Sequence, residues 1–133
     1  MIVSGSEVAA YVASRLETNF YPPFTALGVK QGGQIVAGIV FNCWTGPDVQ
    51  LTIAAEPGCL TRRFLRRVGL YITNELGCIR ATIETEQPHV VEMAIRMGGQ
   101  VEGTKRDLYG EGRDGTVIGV LRRDWFLTTG GDH

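Results

Sequence analysis

Residues 49–84 change their hydrophobic period twice, and this constrains the fold more than any other stretch of the 133-residue chain. Val49, Leu51 and Ile53 alternate with Gln50, Thr52 and Ala54, the period of two expected of a strand with one face on a core. Pro57 and Gly58 end that pattern. From Leu60 the spacing turns helical: Leu60, Phe64, Val68, Tyr71 and Ile72 share one face, and Arg62, Arg63, Arg66 and Arg67 lie elsewhere on the cylinder. After Gly77 the period returns to two, with Ile79, Ala81 and Ile83 set against Arg80, Thr82 and Glu84. A strand, helix, strand unit of this length predicts parallel neighbouring strands joined by a right-handed crossover.

The crossover has a chemical consequence at its first turn. A helix that begins directly after a strand aims unpaired backbone N–H groups and the positive end of its dipole beyond the strand's end, which suits a phosphate. Arg62 and Arg63 in that turn add guanidinium groups able to bind phosphate through paired hydrogen bonds. The same pattern also describes the solvated basic face of an ordinary amphipathic helix, and a nucleic-acid patch ranks behind both.

The flanks supply the rest of a sheet. Ser4 and Glu7 stand at capping-box spacing before an apolar stripe of Val8, Val12 and Leu16, with Tyr11 beside it, so a covering helix is predicted to about residue 17. Pro22 and Pro23 break it. A strand over residues 25–30, a Gln31-Gly32-Gly33 turn and a returning strand over residues 34–42 predict a β-hairpin. Gly46, Pro47 and Asp48 reverse the chain into the Val49 strand. Past Glu84, Gln87 and Pro88 start a helix lined by Val90, Val91, Ala94 and Met97, which Gly98 and Gly99 end. A weak strand over residues 100–109 and a stronger one over residues 116–121 make a second hairpin, leaving residues 126–133 as a tail.

Length and composition bound the class. One domain over residues 1–125 can bury a core without disulfides or metal. A net charge of −1 gives no global drive toward nucleic acid or an anionic membrane. With no apolar run of spanning length and no signal-peptide pattern, a cytoplasmic location is expected. Cys43, Cys59 and Cys78 are odd in number and lack Cys-x-x-Cys spacing, as reduced thiols would, and no residue cluster has metal-ligand spacing.

The order helix, hairpin, strand, helix, strand, helix, hairpin resembles the GNAT N-acetyltransferase superfamily, in its short phage and bacterial form. Met97-Gly98-Gly99-Gln100-Val101-Glu102-Gly103 is similar to the family's Leu-Gly-Phe helix end followed by Glu-Gly, and Leu121-Arg122-Arg123-Asp124-Trp125 to a common closing strand. The match spans residues 25–125. It implies an α/β fold with a central mixed sheet and helices on both faces, binding acetyl-CoA or another acyl-CoA and acylating an amine on a protein or small molecule. It further implies that the backbone of Ile53, Ala54 and Ala55 pairs with the pantetheine arm, that Cys59, Leu60, Thr61, Arg62 and Arg63 receive the pyrophosphate, and that Gln87 stands for the family's asparagine.

The chain departs from the family where chemistry is concerned. Residues 59–64 contain no glycine, Gln50 aligns with a glutamate base and Ala94 with a tyrosine acid. Gln50, Glu84 and His89 are therefore the candidates for holding a proton-carrying water, with Glu86 comparable to Glu84. Tyr109 is a substitute acid, and Trp44 and Tyr109 are candidates to border an acceptor cleft. His89 at a helix start and acids at a strand end also fit plain polar surface, and the cysteines fit small core residues, Cys59 being the one a helix start would activate. The expected partners are an acyl-CoA and an amine acceptor, without membrane, with a homodimer left open. The competing expectation is a catalytically inactive module of the same shape that binds CoA or another protein.

Overall fold

The computed structural model describes residues 1–125; the predicted tail over residues 126–133 lies outside them. Seven strands form one mixed sheet: β1 (Ile2–Ser4), β2 (Phe24–Gln31), β3 (Gln34–Asn42), β4 (Gln50–Ala55), β5 (Arg80–Thr85), β6 (Gln100–Lys105) and β7 (Gly115–Leu121). Their spatial order is β1-β2-β3-β4-β5-β7-β6. Every neighbouring pair is antiparallel except β4 and β5, which run parallel. The helices are α1 (Ser6–Leu16), α2 (Arg62–Leu70), continued by a π turn over Tyr71–Glu75, and α3 (Pro88–Arg96).

The helices cover opposite faces. On one face α1 lays Val8 and Val12 against Ala26, Val40 and Ala54. Close approach there depends on Gly28 and Gly38, register partners whose missing side chains would otherwise lie 2.8 to 3.0 Å from the valine methyls. On the other face α2 buries Phe64, Leu65 and Val68, the π turn Ile72, and α3 Val90, Met93 and Ala94, against a floor that includes Leu51, Ile53, Ile83, Ile118 and Val120. Each large apolar side chain so buried contributes about 1.5–3 kcal/mol. The mixed α/β architecture with helices on both faces is as the family resemblance implies.

Local boundaries differ for identifiable reasons. Ser4 does not cap α1, because it ends β1, paired with Leu27; Gly5 at φ 104° takes the cap position without a side-chain bond, and Glu7 pairs with Lys30 at 3.2 Å. Leu60 precedes α2 rather than opening it, since Thr61 is the N-cap and its Oγ1 accepts from Phe64 N at 3.2 Å. Ile79 sits exposed ahead of β5, and β6 stops at Lys105, after which Asp107 enters the left-handed region and the chain turns.

Candidate active site

β4 and β5 share only two register pairs, Gln50 with Thr82 and Leu51 with Ile83, and then part. Glu56 N donates to Val36 O at 2.8 Å, so by the alternation of an antiparallel ladder the peptide groups of Ala54 also face β3, while those of Ile53 and Ala55 face the opening toward β5. The Ala54 peptide groups thus lie in the β3 ladder rather than at the opening. The opening is bridged near its start: Gln87 Nε2 donates to Ile53 O at 2.9 Å and lies near Thr85 Oγ1 at 3.4 Å. This use of its amide explains why Gln87, the N-cap of α3, makes no side-chain cap bond to its own helix.

Beyond β4 the chain turns at Pro57 and Gly58, the latter at φ +77°, and Cys59 N bonds back to Glu56 O at 3.1 Å. Cys59 and Leu60 are partly buried against the core. Arg62 and Arg63 occupy the first two positions of α2, both exposed, and no acidic residue lies in that first turn. The capped helix start, its dipole and two guanidinium groups therefore present one sign of charge.

On the α1 face, a cavity of about 530 Å³ lies where the strands part. Its walls come from Asn42, Gln50, Thr52 and Ile53, from residues 84–87, from the exit of α1 at residues 15–20, and from Leu108, Tyr109 and Arg113. Glu84, whose side chain is 11% exposed, accepts from Gln50 Nε2 at 2.8 Å through Oε1 and pairs with the Lys105 ammonium through Oε2. Asn42 Oδ1 is buried with no hydrogen-bond partner among the described residues.

The turn over residues 106–114 roofs one side. Asp107 N donates to Asp114 Oδ1 at 2.9 Å, Gly112 N to Asp107 Oδ1 at 2.8 Å, and Arg113 makes a two-point contact with Glu86. Tyr109 packs on Gly115, where an added methyl would meet its ring at 3.1 Å. Burial first, then the charges of Glu84 and Glu86, pushes the Tyr109 phenol up to about 12, so it keeps its proton at neutral pH. Arg113 holds Glu86 below the usual carboxylate value.

Of the candidates, Gln50, Glu84, Glu86 and Tyr109 meet here with Gln87 and Ile53. His89 lies exposed on α3 and does not line the cavity. Trp44 is exposed outside the cavity and donates to Leu76 O at 3.2 Å. Asn42, Arg15 and Arg113 were not singled out by sequence reasoning. Asn42 is the β3 partner of Gln50, but only the register reveals it. Arg15 bonds Tyr11 Oη at 2.8 Å and pairs with Glu56 at the exit of β4. No described helix is long and apolar enough to cross a membrane, and the described residues contain no group of three or more His, Cys, Asp or Glu able to hold a metal.

No protein-family model and no curated protein matches the chain in sequence. Its three-dimensional form does have counterparts. A variant of the spermidine N-acetyltransferase SpeG from Vibrio cholerae superposes with a TM-score of 0.72 at 10% identity, over 94% of this chain and 95% of that one. A dodecameric structure of spermidine N-acetyltransferase from the same organism gives 0.69 at 11% identity, over 94% and 95%. The chain has the GNAT fold.

Proposed function

We propose that this protein is an acyl-CoA-dependent N-acetyltransferase that moves an acetyl group from acetyl-CoA to an amine by direct attack. The observation that carries the reading is Glu84, a mostly buried carboxylate held by Gln50 on the wall of a cavity that opens where two parallel strands part. The SpeG acetyltransferases share the fold, which supports the same reading.

The residues present fit an acyl-CoA in charge and in hydrogen bonding. Arg62 and Arg63 at the cap of α2 would hold its phosphates, with Cys59, Leu60 and Thr61 shaping the turn. The peptide groups of Ile53 and Ala55 would pair with the amides of its arm, Gln87 yielding or sharing the Ile53 carbonyl. The bound thioester supplies the electrophilic carbonyl. Glu84 takes the proton that an ammonium acceptor must lose before it can attack, and Gln50, lacking a titratable group itself, fixes the carboxylate's orientation. Tyr109, neutral at working pH, is the cavity's hydroxyl for the departing thiolate.

Calorimetric titration with acetyl-CoA, beside its dephospho analogue, tests the reading. Saturable binding that weakens without the ribose phosphate is expected. No heat of binding at millimolar ligand would overturn it.

A further inference from the structure

Two lysines occur in the chain, Lys30 and Lys105, and they stand in different chemistry. Lys30, in the β2–β3 hairpin, pairs with Glu7, whose side chain is 60% exposed. Lys105 ends β6, fixed by pairing with Gly115, and its ammonium rests on the carboxylate of Glu84, which itself lines the cavity although Lys105 does not. The other oxygen of that carboxylate is already held by Gln50. A general base must stand within hydrogen-bond reach of the proton it removes. The contact gives this geometry to an amine that belongs to the protein. The Lys105 side chain is 55% exposed and unbranched, so its Nζ can swing about the carboxylate by rotamer changes alone while the strand stays in place.

We propose that Lys105 is a site of self-acylation, its Nζ taking the acyl group from acyl-CoA bound to the same chain; this rests on the N-acetyltransferase reading above. Glu84 takes one proton from the ammonium. The freed electron pair on Nζ forms the C–N bond at the thioester carbonyl, the C–S bond breaks with its pair leaving on sulfur, and the second amine proton ends on that thiolate. The products are a neutral amide at Lys105 and a free thiol, and the proton on Glu84 returns to solvent. An amide nitrogen carries no charge to pair with Glu84, so the modified chain presents that carboxylate to an external amine.

The test is incubation of the full chain with acetyl-CoA, digestion, and mass spectrometry of the two lysine-bearing peptides over time. Lys105 is expected to gain its acetyl group at least about tenfold faster than Lys30, the advantage of an amine held beside its base. The rate should not depend on protein concentration. Glu84→Gln should bring Lys105 down to the Lys30 rate, and Lys105→Arg should leave Lys30 labelling as it was. Equal labelling of the two lysines in the wild type, or a rate that rises with protein concentration, overturns self-acylation while saturable acetyl-CoA binding still stands. Absence of that binding would overturn the acetyltransferase reading itself, so the two failures are told apart.

Discussion

The start of α2 and the cavity under residues 106–114 are built on opposite physical terms. At α2, a run of consecutive residues does everything: a Pro57-Gly58 turn, a Thr61 cap and two arginines, with backbone N–H groups as the fixed part of the site. Its N–H groups and dipole would exist on any helix that followed a strand. The cavity has no such local basis. Glu84 meets Gln50 across 34 residues, Arg113 meets Glu86 across 27, and both contacts wait for the whole sheet to assemble. The first kind of site holds charge at modest geometric cost. The second fixes single atoms, as proton transfer requires. Affinity and chemistry should therefore separate along the same line.

The largest expected effect is at the cavity. Glu84→Gln keeps the shape and a hydrogen-bonding partner for Gln50 but cannot accept a proton, and should lower acyl transfer by about a hundredfold or more. Thiol release with any amine that the wild type acetylates reads this, while calorimetry should find acetyl-CoA affinity unchanged. A variant that loses affinity and keeps its rate at saturating acetyl-CoA would erase the proposed division. The converse change comes next. Replacing Arg62 and Arg63 together by alanine should weaken acetyl-CoA binding by about 1–3 kcal/mol, through lost charge-assisted hydrogen bonds, without lowering the rate at saturation. Rising salt should weaken the wild type more than the variant, because the arginines are exposed.

The same contrast explains what could be read in advance. The β2–β3 hairpin and the β4–α2–β5 crossover were legible because their hydrophobic periods and turn residues are local. β1 was not, since Ile2–Ser4 has only three residues in which to show alternation, and Ser4 carries a cap signal that the ladder overrides. At the site, Glu84 and Gln50 could be named as residue types but not as partners. Their contact depends on the parallel register of β4 and β5, which the sequence does not state. Asn42 gives no signal of its own either, since its place beside Gln50 depends on the antiparallel register of β3 and β4. His89 has suitable chemistry for proton transfer but sits on the outside of α3, a position that helix periodicity alone left open.

The smallest expected effect concerns the tie that closes the cavity. Arg113 hydrogen-bonds Glu86 and holds its carboxyl below the ordinary value of 4.5. As acid is added, the unfolded chain therefore takes up this proton before the folded one does. The stabilising contribution is complete above pH 4.5, declines as the pH falls through that value, and is gone below the lower folded one. Glu102, depressed in the same direction by Arg80, adds its own loss in this range, but it is present in wild type and variant alike and cancels in their difference. Melting temperatures of wild type and Glu86→Gln should thus keep a constant offset from neutral pH down to about 5, then converge. Only the second kind of site should show this convergence, since the start of α2 has no carboxylate in its first turn. An offset unchanged through the acid range would mean that the turn is held by its Asp107 and Asp114 bonds alone, and that the cavity owes its roof to local structure after all.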